Sequence, residues 1–133
     1  MTVQPTASES TDRELYDIGM ALDCTVSWDT AGGHTVCHPR GDLDAFTVVR
    51  FRQAIAEVPS ASVVIIDLSD VPFIDSAGLG ALVGGIRRIR DLGGEAVVST
   101  NRPVHRSLLH TTGFDRIVTI TDDVAGAVDV LAT

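Results

Sequence analysis

The group best placed to do chemistry is the hydroxyl of Ser76, which follows the carboxylate of Asp75 and heads the glycine-rich run Ala77-Gly78-Leu79-Gly80-Ala81-Leu82-Val83-Gly84-Gly85. A serine becomes a nucleophile only when a neighbouring base takes its proton. His34, His38, His105 and His110 are the candidate bases, and Asp42 and Asp44 form a carboxylate pair in an earlier loop. Cys24 and Cys37 supply the two thiols.

Catalytic signatures fail when tested one by one. A nucleophile elbow G-x-S-x-G needs glycine at position 74, where this chain has Ile74. Three of the four histidines fall in segments whose turns are placed away from the sheet end carrying Ser76. Gly78 and Gly80 are followed by Val83, which breaks the dinucleotide fingerprint, and there is no Walker A sequence. His34, Cys37 and His38, with Cys24, superficially resemble a metal site, but adjacent strand residues 37 and 38 point to opposite faces. All ten basic residues are arginine, so no lysine is present to form a Schiff base. No metal and no cofactor are expected. The two cysteines lack C-x-x-C spacing and read as small apolar strand residues. The spacing also allows them to face each other across a hairpin, which keeps a redox role open.

The element that must position Ser76 is a strand, a short turn and a helix. Ser62-Val63-Val64-Ile65-Ile66-Asp67-Leu68 is apolar on both faces, as interior strands of a parallel sheet are. Asp75 or Ser76 is the helix N-cap, and Leu79, Leu82, Val83, Ile86 and Ile89 form the apolar stripe. The opposite side is nearly bare backbone: Ala77, Gly80, Ala81 and Gly84 fall together at 100° per residue, with Arg87 and Arg88 beyond them. Each interior glycine costs about 0.8–1 kcal/mol relative to alanine, so close approach is needed there. Either the helix packs tightly on its own sheet, or this face receives a partner with a hydroxyl at its edge. Arg87, Arg88 and Arg90 read as complement to the helix dipole and solvated surface.

The remaining chain alternates strand and helix. Residues 1–20 form a polar tail without periodicity, in which Glu14 to Met20 favours neither period, and 21–133 form one domain. Cys24 to Trp28 and His34 to His38 predict a hairpin around a turn at Asp29 to Gly33, longer than two residues. Arg40-Gly41-Asp42-Leu43-Asp44 leads into a helix from Ala45 to Glu57 with Val48, Phe51, Ile55 and Val58 inward, and Pro59 stops it. Gly93-Gly94 ends the Ser76 helix, Glu95 to Ser99 is a strand, and Pro103 opens a helix that Gly113 closes. Ile117 to Ile120 is a last strand, and Asp122 caps a final helix with Val124, Ala127, Val128 and Leu131 inward. The fold class is α/β: a mostly parallel mixed sheet of about five strands, an N-terminal antiparallel hairpin, and helices packed against it.

A net charge of −8 argues against nucleic-acid binding. The lack of a long apolar run or a signal-like start predicts a cytoplasmic chain with no membrane partner.

With these residues laid out, the chain resembles the STAS domain family, and within it the single-domain anti-sigma factor antagonists. The likeness covers roughly residues 24–131. It is carried by Gly41-Asp42-Leu43-Asp44, by Val63 to Leu68 followed by Phe73 to Gly80, by Gly93-Gly94, and by Leu108 to Phe114. The resemblance implies a STAS-like fold without catalysis of its own. It implies that Ser76 is the phosphoacceptor of an anti-sigma factor with serine kinase activity, and that a metal-dependent serine phosphatase reverses the modification. The partner surface is expected to comprise Asp42, Asp44, Asp75, Ser76, Ala77, Gly78, Gly80, Ala81 and Gly84. Ala77 stands where many relatives carry a second Ser or Thr, so Ser76 is left as the acceptor. Two alternatives are a STAS subunit of another regulatory or transport assembly, and a serine hydrolase using Ser76.

Overall fold

The computed structural model describes residues 24–132, so the polar tail and the Glu14 to Met20 segment lie outside the described residues. Strand β1 (Thr25–Ala31) returns as β2 (His34–Arg40), and the two pair antiparallel from Thr25↔Arg40 to Ala31↔His34. The hairpin loop is therefore two residues, Gly32-Gly33, and not the longer turn expected from Asp29 onward. Both glycines have positive φ, 59° and 84°, which closes a tight turn matching the strand twist. Asp29 and Thr30 can extend the strand because they lie on an edge whose side chains reach water.

Three parallel strands complete the sheet: β3 (Val63–Asp67), β4 (Glu95–Ser99) and β5 (Thr119–Thr121), in the order β1-β2-β3-β4-β5. Between them run α1 (Val48–Ala56), α2 (Ser76–Asp91) and α3 (Pro103–Thr111); α4 (Val124–Leu131) ends the described chain. One face of the sheet, with Cys37, Val64, Ile66 and Val98, is covered by Phe51 and Ile55 of α1 and Leu82, Ile86 and Ile89 of α2, joined by Leu109 and Phe114. The other face, Val36, Ile65 and Val97, packs against Ala127 of α4. The doubly apolar run of β3 is explained by these two cores.

Element ends depart from the periodicity where a side chain captures the backbone. Helix α1 starts at Val48 because Asp44 Oδ1 accepts the Phe46 and Thr47 N–H at 2.9 and 3.2 Å, closing a turn ahead of it. Helix α4 is capped by Asp123, which accepts from Gly126 N at 2.7 Å; Asp122 instead pairs with Arg106. A 3-10 turn at Phe114–Arg116 delays β5 to Thr119. Gly93 and Gly113 end their helices as expected, both at positive φ.

Cys24 and Cys37 are buried thiols. They do not face each other, since Trp28 stands opposite Cys37 in the register. Burial, with Cys24 nearby as a lesser cause, pushes the Cys37 thiol up to about 12. Above the ordinary value of 9.0 the unfolded chain releases this proton while the folded chain keeps it, so stability falls as pH rises from 9.0 towards 12. Urea unfolding of wild type and Cys37→Ala should therefore converge as pH climbs through that window. Both thiols should resist alkylation when folded and react once denatured; a Cys24–Cys37 cross-link from cells would contradict this.

Candidate functional site

The connection from β3 to α2 is tied down along its length before it delivers Ser76. Asp67 ends β3, and its carboxylate accepts from Ser69 N and Ser69 Oγ, both at 3.1 Å, from His38 Nδ1 at 3.0 Å and from Ser99 Oγ at 3.4 Å. Arg102 donates to the Ser69 carbonyl through Nε and Nη2 at 3.1 and 3.0 Å. The Asp70 carbonyl accepts Gly41 N at 3.0 Å, and His105 Nε2 donates to the Val71 carbonyl. Leu43 then zips the Asp42–Asp44 loop to the segment before the helix: its N–H meets Phe73 O at 2.9 Å and its carbonyl accepts Asp75 N at 3.2 Å. The two acidic segments thus share one end of the sheet.

Asp75 resolves the two candidate caps. It lies in extended backbone as N-cap, with Oδ1 accepting Gly78 N at 2.8 Å and Oδ2 accepting Ala45 N at 3.3 Å. Ser76 is the first helical residue and is exposed; no described residue hydrogen-bonds its hydroxyl. Continuing along α2, Gly80 and Gly84 are exposed, and a Cβ at either would meet nothing within 4 Å. Ser76, Gly80 and Gly84 therefore form an open row at i, i+4 and i+8.

The bare face is narrower than its sequence pattern. Gly78 is buried, and a Cβ there would collide with the Leu43 carbonyl, so this glycine serves close approach within the fold. Ala81 is also buried, 2% exposed, and packs into the core. Gly78 and Ala81 must be dropped from the exposed set, because the helix leans on the Leu43 loop and on α1 through its smallest residues. Ala77 is half-buried at the margin. Asp44 is engaged by its own turn, whereas no described residue bonds the Asp42 carboxylate. Between α1 and α2 lies a groove of about 300 Å³, lined by Arg52, Ile55, Ala81, Gly84, Gly85 and Arg88.

Four features escaped the pattern. His38 and His105 both come to the Ser76 end, contrary to the expectation that three histidines lie away from it, and both act as clamps on the connecting loop. His110 pairs with Asp115 at 2.9 Å. Arg88 and Arg90 are not solvated surface: Arg88 donates to the Ile55 and Val58 carbonyls at 3.2 and 3.4 Å, and Arg90 to Glu95 and the Ile117 carbonyl, both at 2.8 Å. Burial pushes the Glu95 carboxyl up, but hydrogen bonds from Arg90 and Ala96 N, with the Arg90 charge, outweigh it and leave the group below its ordinary value. Finally, Phe46 and Phe73 stand exposed beside the site. Their signal in the sequence is that neither fits the apolar stripe of its neighbouring helix.

Ser76 thus presents a hydroxyl at a positive helix end, with the first-turn N–H groups of Ser76 and Ala77 left over by the Asp75 cap. Each histidine with a bond to a described side chain or carbonyl spends it elsewhere. Among the described residues no group of three or more His, Cys, Asp or Glu could hold a metal ion, and no helix is long and apolar enough to cross a membrane.

A five-stranded mixed sheet with helices on both faces, and a hydroxyl set on an open helix end at its rim, define a STAS-type domain. The STAS domain family matches residues 25–127, and the chain belongs to it. The anti-sigma F factor antagonist of Paenibacillus polymyxa is 35% identical over 95 residues, 68% of this chain and 80% of that protein. The anti-sigma-B factor antagonist of Listeria monocytogenes is 32% identical over 82 residues, 60% of this chain and 72% of that protein. The crystal structure of an anti-sigma factor antagonist from Mycobacterium paratuberculosis superposes with a TM-score of 0.74 at 27% identity, covering 83% of this chain and 95% of that one.

The glycines of α2 should separate by role. Gly80→Ala and Gly84→Ala are expected to stabilise the fold by about 0.4–1 kcal/mol, whereas Gly78→Ala should destabilise it by about 1–3 kcal/mol because the Leu43 backbone must shift. Equilibrium urea unfolding of the three variants checks this ordering.

Proposed function

We propose that this chain is an anti-sigma factor antagonist of a partner-switching system. In its unmodified form it binds an anti-sigma factor with serine kinase activity and so frees a sigma factor; phosphorylation of Ser76 abolishes binding, and a serine phosphatase restores it. The observation that carries the reading is the exposed Ser76 hydroxyl at the first position of α2, in line with the uncovered Gly80 and Gly84. The names of the relatives support it, since those proteins are antagonists of anti-sigma factors. The chain acts in the cytoplasm and is a substrate rather than an enzyme. Asp42, Asp75, Ser76, Ala77, Gly80 and Gly84 face the partner, with Asp44 shaping the loop beside them.

Two electrostatic effects of different size make the switch. Within the free domain a phosphate carries about −1.5 to −2 charge and gains about 0.3–1 kcal/mol from the helix end. Repulsion from Asp75 and Asp42 offsets part of this, so the fold is nearly indifferent. At an interface shaped for a hydroxyl the same dianion loses its hydration without a matched cation, which costs several kcal/mol.

Incubation with candidate anti-sigma kinases and ATP, followed by mass spectrometry, should place one phosphate on Ser76. In calorimetric titrations Ser76→Ala is expected to bind the kinase constitutively. Ser76→Glu should bind orders of magnitude more weakly while melting within a few degrees of wild type. A glutamate variant that binds as tightly as the alanine one sinks the switch. Gly84→Leu should fold normally yet bind poorly, because its side chain projects from the open row.

A further inference from the structure

We infer that Phe46 and Phe73, on the two segments that adjoin Ser76, are the aromatic anchors by which the anti-sigma factor grips this chain. The inference rests on the functional reading above and names what supplies affinity at that site. The chain has four phenylalanines. Phe51 and Phe114 fill the core at 0% and 2% exposure, whereas Phe46 and Phe73 are 80% and 51% exposed. Both exposed rings sit on braced backbone. Phe46 N and Thr47 N are bound by Asp44, Ala45 N by Asp75, and Phe73 O by Leu43 N. These bonds hold the Phe46 turn and the segment from Phe73 to Asp75 together at the start of α2, which begins at Ser76. Val49, three residues beyond Phe46 and 57% exposed, extends the apolar surface along α1.

Aromatic residues held rigid in this way lose little entropy on docking and dominate interfaces when buried. The charge around them decides what covers them. Asp42, Asp44 and Asp75 lie on the same two segments as the rings, on a chain of net charge −8, which repels nucleic acid and anionic lipid. A second copy would bring the same carboxylates face to face. The occupant is therefore a different protein, with an apolar pocket for each ring and a cationic rim. Docking of the two rings would exclude water near Ser76, so that a phosphate there is rejected without touching either anchor.

The test titrates the full chain and its Phe46→Ser, Phe73→Ser and double variants against the anti-sigma kinase that modifies Ser76. Leu92→Ser, at the far end of α2, is the control. Each single variant should lose about tenfold or more in affinity and raise KM for Ser76 phosphorylation with kcat kept, while melting within a few degrees of wild type. Phe46→Leu should recover part of the affinity, and it decides the matter if a serine variant melts early. Serine variants that bind within about twofold of wild type, or a Leu92→Ser loss of equal size, overturn the inference and leave the functional reading standing. A dimer abolished in the double variant overturns it in favour of a second copy. A wild-type chain that binds no anti-sigma kinase overturns both.

Discussion

The site depends on the main-chain pairing of Leu43 with the segment Phe73 to Asp75. Its N–H and carbonyl are both spent there, its side chain is fully buried, and its carbonyl fills the space that a side chain at position 78 would need. One residue therefore joins the loop that opens α1 to the turn that opens α2. A buried peptide group left without a partner costs about 1–3 kcal/mol, so this pairing holds the two helix starts in one register. Everything exposed around Ser76 inherits its position from that bridge, including both phenylalanines and the Asp42 carboxylate.

A second layer of polar bonds stiffens the same connection from below. Asp67 is mostly buried, and its carboxylate gathers four hydrogen bonds from His38, Ser69 and Ser99. A buried carboxylate so supplied is tolerated, whereas the loss of one donor would expose its desolvation cost. Arg102 and His105 reach across from the β4–α3 side to Ser69 O and Val71 O. The loop is thus hydrogen-bonded along its length although it has no regular structure of its own.

A hydrogen-bonded frame beneath an open helix end separates the groups that hold the fold from those that face water. The groups that hold the fold point inward or are saturated; those left without a described partner are a hydroxyl, two glycines, two exposed rings and a carboxylate. Adding charge to the hydroxyl therefore perturbs solvent-facing electrostatics, which are screened and small in the free domain. In the proposed switch the large penalty arises only on contact, where water is removed. This division is what the proposed switch requires: one covalent change that alters binding without altering the domain.

The sequence by itself determined the α/β class, the alternation of elements, the inward stripes of α1 and α2, and the strand–turn–helix that presents Ser76. These follow from local periodicity and from glycine and proline punctuation, which act over a few residues. It also marked α2 as unusually bare, but could not say which small residues faced water. Only the tertiary structure decided that Gly78 and Ala81 pack inside while Gly80 and Gly84 stay open, because that depends on where the Leu43 loop lies. The same holds for His38, His105, Arg88 and Arg90, whose partners lie 27 to 34 residues away except for Glu95. A side chain's type fixes what it can bond, but only the packed chain brings the distant carbonyl or carboxylate within reach.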